Sequence, residues 1–337
     1  MTAFGRYVQV MATERCNLRC VHCAVPEEDS PAMAELSTET WISFIERLAD
    51  RGVIAFTLSG GEVTLRRDAS VLLRCAIESG IGRVTLLTNG LLSERTIKEL
   101  VVLQNQYPSL AIHVSLDGAS PATHDQVRGR GAFKATMGRI ARLGDLGGRV
   151  TGMHTVLHQG NIDEFDSMVG LVRELGVDVW TVFPVAALGR AVRGDLRSLT
   201  AQQWVTVTSR LAELRRSGLD VGQMGPVVED EWPSSLGALP NGRSAISPNI
   251  VVGPDGAMFT CPPLRDRPIG RASTMTDPGA WAAAITSGRE MTAESCGNCK
   301  FRLLCTGIDL ADPFAAGNHE HRDPSGRFAL SGMGRGD

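Results

Sequence analysis

Short apolar runs alternate with longer amphipathic segments through the first half of this 337-residue chain, and that alternation limits the possible folds more than any other feature. Each run is too short for a buried helix, and the segment after it repeats its apolar residues at helical spacing, so each pair reads as a strand and a crossover helix. Strands are expected over residues 7–12, 53–58, 83–87, 111–116, 150–157 and 177–183. Helices are expected from the Ser37-Thr38-Glu39-Thr40 cap to about residue 50, with Trp41, Phe44, Ile45 and Leu48 on one face, and over 68–80, 93–106, 133–146 and 161–175. Six such units by residue 184 predict an α/β fold, a partial (β/α)6 TIM-like barrel with too few strands for eight-fold closure.

Beyond residue 184 the texture changes. Residues 200–217 look helical, 222–244 are rich in Pro, Gly and Ser, and 246–252 with 257–260 make a β-hairpin across Pro254-Asp255-Gly256. The chain then divides into a barrel over 1–220, a linker or substrate-lining loop over 221–245, a cysteine-bearing unit over 246–325 and a flexible tail over 326–337. A hydrophobic share of 43% is ample for a core, and a formal charge of −3 offers no field to a polyanion, so no nucleic-acid partner is expected. No segment resembles a secretion signal or approaches the roughly 18 apolar residues of a membrane span, so a soluble, cytoplasmic protein with no membrane partner is expected. Thiols stay reduced there, so the eight cysteines do not read as a disulfide framework. Cys75 stands alone and reads as a core thiol; the others fall in two clumps.

The first clump is Cys16-Asn17-Leu18-Arg19-Cys20-Val21-His22-Cys23, directly after the first strand. Three thiols are one short of the ligands of a cubane iron–sulfur cluster, which leaves one iron open to a non-protein ligand. Two blander explanations stand beside it: a zinc site that recruits His22, or cysteines sharing one face of a helix at i, i+4 and i+7. The next three strands end in Ser59-Gly60-Gly61-Glu62, Thr88-Asn89-Gly90 and Ser115-Leu116-Asp117-Gly118. In the first of these, glycines allow close ligand approach and Glu62 offers an acceptor for an ammonium group. Each motif alone is an ordinary turn, yet four successive strand ends of this kind converge on one mouth of a barrel.

With these residues the sequence resembles the radical S-adenosylmethionine (SAM) superfamily along essentially its whole length. Cys16, Cys20 and Cys23 match the cluster motif, Gly60-Gly61-Glu62 the site for the SAM amino group, and His124-Asp125, Arg128-Gly129 and Gly131-Ala132-Phe133 continue the SLDG stretch. Val63 departs from the proline many relatives carry after GGE. The resemblance implies a [4Fe-4S] cluster on the three cysteines, whose open iron is chelated by SAM, and reductive cleavage of SAM to a 5′-deoxyadenosyl radical. It assigns His22 to the adenine side and Thr88, Asn89, Ser115 and Arg128 to polar contacts with SAM. Arg190 is placed at the methionyl carboxylate or a substrate acid. For Arg128 and Arg190 a structural salt bridge is an equal alternative.

The second clump, Gly256-x4-Cys261 with Cys296-x2-Cys299-x5-Cys305, resembles the SPASM/twitch extension of the same superfamily. Asp309 stands where a further cysteine would complete the fuller pattern, so one auxiliary [4Fe-4S] cluster is expected rather than two. Either all four thiols ligate it, or Cys296, Cys299 and Cys305 do so with Asp309, substrate or solvent, leaving Cys261 as a free thiol that gives a hydrogen atom to a substrate radical. A zinc ribbon is the plain alternative. The resemblance implies hydrogen abstraction from an unactivated C–H in peptide or natural-product maturation, by crosslinking, oxidation or epimerisation, with a flavodoxin- or ferredoxin-type electron donor. The other substrate class is a small polar compound such as an aminocyclitol or aminoglycoside. With only fifteen residues before Cys16, a leader-binding domain is expected on another chain, if anywhere. A non-enzymatic iron–sulfur redox sensor would explain the cysteines but not the other strand-end motifs.

Overall fold

The computed structural model describes residues 7–23, 34–185, 189–192, 196–223, 250–259, 268–274, 277 and 279–284. Seven strands lie side by side in chain order, each parallel to its neighbour: β1 (Tyr7–Met11), β2 (Ala55–Ser59), β3 (Arg83–Thr88), β4 (Leu110–Ser115), β5 (Gly152–Leu157), β6 (Val179–Pro184) and β7 (Val221–Gln223). Between them run α1 (Thr38–Asp50), α2 (Ala69–Glu78), α3 (Glu94–Gln106), α4 (Pro121–Arg128), α5 (Ala132–Asp145), α6 (Phe165–Leu175) and α7 (Ala201–Arg216). β8 (Ile250–Val252) joins the free edge of β1 in parallel, and β9 (Ala257–Phe259) and β10 (Gly270–Arg271) follow antiparallel. Among the described residues the sheet ends at β7 and β10 and does not close.

Local sequence explains most of this. In α1 the Ser37 side chain accepts the Thr40 N–H at the amino end, and Trp41, Phe44, Ile45 and Leu48 are buried as expected. Gly52 leaves the helix with φ +74°, a conformation glycine adopts without strain. Along the strands, Val8, Val10, Phe56, Leu58, Ile112 and Val114 belong to the core under the helices. The alternate residues therefore face inward, and they are mainly polar or small.

Three features differ from expectation. Helix α4 was not foreseen because it is eight residues long with glycines on both sides; Pro121 in its first turn is its one local signal. Strand β7 occupies the start of the expected linker, and its three residues carry no pattern of their own, so pairing with β6 makes it a strand. The expected hairpin forms, with Val251 opposite Phe259, but β8 extends the barrel's own sheet beside β1. The remaining linker, the cysteines from Cys261 to Cys305 and the tail lie outside the described residues.

Candidate active site

The cysteine run is an irregular loop leaving β1, which removes the shared-helix-face explanation. Cys16, Cys20 and Cys23 are free thiols, with Cys20 buried and the other two half-buried. Neighbouring strand ends grip this loop through its backbone. From β2, the N–H groups of Gly61 and Glu62 donate to the carbonyls of Thr13 and Arg15 at 2.6 and 2.7 Å. Val21 donates to the carbonyl of Val127 in α4 at 2.9 Å. Beyond β6, the Arg190 N–H donates to Cys23 O at 3.0 Å and its Nε to Cys20 O at 2.8 Å. Arg190 thus shapes the cysteine loop directly.

The two glycines before Glu62 also make room for protein backbone. A Cβ on Gly60 would lie 2.5 Å from Thr13 O, and one on Gly61 would lie 2.5 Å from Glu14 O. The close approach they permit is that of the cysteine loop's own backbone. Glu62 is also more engaged than a free ammonium acceptor would be. Its Oε1 accepts from Thr64 N at 3.1 Å, Thr64 Oγ1 at 2.6 Å and Thr88 Oγ1 at 2.9 Å, and its Oε2 from Asn89 N at 2.7 Å. Asn89 continues the chain of contacts, with Nδ2 2.8 Å from Asn17 Oδ1 and 3.8 Å from Cys16 Sγ. The GGE and TNG motifs and the cysteine loop are therefore one hydrogen-bonded unit.

The SLDG end contributes a buried charge pair. Arg128 Nε donates to Asp117 Oδ2 at 2.6 Å, and Asp117 Oδ1 accepts the Val156 N–H at 2.8 Å. Burial opposes the Asp117 charge, but Arg128, His22 and that backbone bond outweigh it and hold the carboxyl at about 2. Burial likewise pushes the Cys20 thiol up to about 11, against the pull of Arg128. Arg128 thus forms a buried ion pair with Asp117. Ser115 is half-buried at the end of β4, facing inward. His22 places Nε2 3.8 Å from Asp117 Oδ2, and burial lowers it to about 4. Among the described residues no group of three or more His, Cys, Asp and Glu side chains is arranged to hold a single metal ion.

One supporting network had no local signal. Buried Arg66 donates to Ala12 O at 3.2 Å, Glu35 Oε2 at 3.0 Å and Asp68 Oδ2 at 2.7 Å, while Glu35 also accepts from Thr13 and Arg15. It braces the root of the cysteine loop through contacts 20 to 54 positions apart in sequence.

The residues fit a three-thiolate cluster and SAM. Thiols raised by burial need positive charge to ionise, which Arg128 and iron would supply together, and Cys16 Sγ already receives the Leu18 N–H at 3.4 Å. Comparison with known proteins agrees: residues 10–172 match the Radical SAM superfamily. Residues 10–172 of the chain form a radical SAM domain. This radical SAM protein is 33% identical over 199 residues to the AdoMet-dependent heme synthase of Methanosarcina barkeri, covering 58% of this chain and 55% of that relative. It thus spans about half the length of that relative. It is 27% identical over 315 residues to the mycofactocin maturase MftC of Mycobacterium ulcerans, covering 90% of this chain and 83% of MftC. In fold it is similar to native anSMEcpe with bound AdoMet and Kp18Cys peptide, with TM-score 0.64, 17% identity, and coverage of 89% of this chain and 88% of that one.

Proposed function

We propose that this radical SAM enzyme abstracts a hydrogen atom from an unactivated C–H of a peptide, as a step of ribosomal peptide maturation. The inward face of the barrel carries this proposal. On β1 to β6 that face presents neutral polar side chains such as Gln9, Thr57, Ser59, His113 and His154 beside small and apolar residues, its one ionised group is Arg83 at the far end, and among the described residues of these strands it holds no Asp or Glu. An aminocyclitol or aminoglycoside carries ammonium groups, and burying one without a counter-charge costs several kcal/mol. A peptide segment needs only hydrogen-bond partners, which this face has.

SAM bound at the cluster would supply a 5′-deoxyadenosyl radical. The protein's own part is to hold the Cys16–Cys23 loop through Glu62, Asn89 and Arg190, and to seat the substrate within the sheet below it. In the C-terminal region we favour one auxiliary cluster ligated by Cys261, Cys296, Cys299 and Cys305. The support is the cysteine spacing itself, Cys261 with Cys296-x2-Cys299-x5-Cys305, which supplies the four thiolates a cubane cluster takes. An external flavodoxin or ferredoxin is the expected electron source.

Anaerobically reconstituted protein, given SAM and dithionite, should form 5′-deoxyadenosine, and a deuterated peptide substrate should place its label there. Absence of 5′-deoxyadenosine from protein with intact clusters overturns the enzymatic assignment.

A further inference from the structure

We propose that the paired imidazoles of His113 and His154 anchor the substrate, presenting one hydrogen-bond donor and one acceptor to the backbone edge of an extended peptide. This rests on the peptide function above and names the group that reads the peptide.

His113 on β4 and His154 on β5 both face inward, and Nδ1 of the first lies 3.0 Å from Nε2 of the second. The arrangement is built in from both sides. A Cβ on Gly152 would lie 2.5 Å from His113 Nε2, so the glycine leaves the space this ring fills. Across the pair, the Phe183 ring sits 5.4 Å from that of His154. His154 is level with Ser115, the last residue of β4, so the pair lies just inside the mouth.

Burial holds both rings neutral near pH 7, His113 at about 4 and His154 at about 3. Two neutral imidazoles sharing one bond leave two outer nitrogens, His113 Nε2 and His154 Nδ1. If His113 donates the shared proton, His154 Nδ1 is the outer donor and His113 Nε2 the acceptor; if His154 donates it, the roles exchange. Either tautomer therefore offers one donor and one acceptor. Neither outer nitrogen has a hydrogen-bond partner among the described residues, and neither is a fully buried orphan. An extended peptide presents N–H and C=O groups of both kinds along each edge. The nitrogens that face each other are committed to the shared bond, which leaves the pair unsuited to chelating a metal.

The test is 15N-histidine NMR on the full-length protein with reconstituted clusters. N-acetyl-trialanine N-methylamide, myo-inositol and 2-deoxystreptamine are the probes. The peptide amide should shift the His113 and His154 ring nitrogens saturably, and the other two probes should not. His154→Phe should lose the response. Gly152→Ala changes neither imidazole but pushes His113 aside, and should weaken the peptide Kd about tenfold, as expected for one hydrogen bond. It also serves where His154→Phe fails to fold. The proposal falls if the wild type gives no saturable shift with the peptide, if Gly152→Ala keeps the same Kd, or if inositol or deoxystreptamine shifts the pair instead. Formation of 5′-deoxyadenosine by wild type is scored separately, because its failure sinks the enzymatic function, whereas a silent pair sinks only the anchor.

Discussion

Glu62 Oε2 accepts the Asn89 N–H at 2.7 Å while Oε1 accepts the Thr88 hydroxyl at 2.9 Å, so one carboxylate ties the end of β2 to the end of β3. Glu62→Gln replaces one acceptor with a donor and leaves a buried N–H or hydroxyl unmatched. The expected loss is about 1–3 kcal/mol in denaturant unfolding, together with weaker SAM binding by calorimetry. Unchanged stability would mean that these bonds contribute nothing net.

Gly61 is constrained more tightly. A Cβ there would lie 2.5 Å from Glu14 O and 2.8 Å from Arg15 C, both rigid backbone. Gly61→Ala should displace the cysteine loop, cost about 1–3 kcal/mol and remove about four iron atoms per chain, one cubane. Iron analysis after reconstitution checks this, with Cys75→Ala as the control that keeps its iron.

The Arg128–Asp117 pair is buried on both sides. Arg128→Leu strands a carboxylate, and the expected cost is about 3–5 kcal/mol. Adding Asp117→Asn should recover part of it, because the stranded charge goes too. A double variant as unstable as the sum of the singles would contradict the pairing.

Acidification provides a test through histidine. Burial lowers His22, His113 and His124 to about 4 and His154 to about 3, against roughly 6.5 in an unfolded chain. Between those values the unfolded chain binds more protons, so stability falls as pH drops below about 6.5, at about 1.4 kcal/mol per pH unit for each histidine, and the histidine contribution levels off below about 4 for the first three and below about 3 for His154. The Asp117 carboxyl, held at about 2, loses its own contribution only as pH falls below its ordinary value of 3.8. Urea midpoints at pH 7.5, 6 and 5 should decline steadily, and less steeply in His154→Phe. A flat profile would show that the rings are not buried and neutral.

Cys261 decides the auxiliary site. In anaerobically purified protein, Cys261→Ala should lose iron relative to wild type. Full iron retention would instead leave Cys261 as a free thiol.

Much of the scaffold was legible because its signals are local. Trp41, Phe44, Ile45 and Leu48 are buried on one helix face, and strand ends with GGE, TNG and SLDG do meet at the cysteine loop. Helix α4 and strand β7 were not legible, since one is short and flanked by glycine and the other exists through its pairing with β6. The brace of Arg66, Glu35 and Asp68 joins residues whose spacing has no period.

By itself the sequence determined the donor atoms and their order along the chain, three thiols at spacings of four and three followed by polar strand ends, and it was their resemblance to the radical SAM superfamily that implied the chemistry. Only the tertiary structure decided how those groups are used. Buried donors and acceptors must find partners wherever the fold brings them, so Gly60 and Gly61 serve the backbone of the cysteine loop, Arg190 caps Cys20 and Cys23, and Arg128 answers Asp117. His113 and His154 lie 41 residues apart in sequence and share a hydrogen bond because β4 and β5 are neighbours in the sheet.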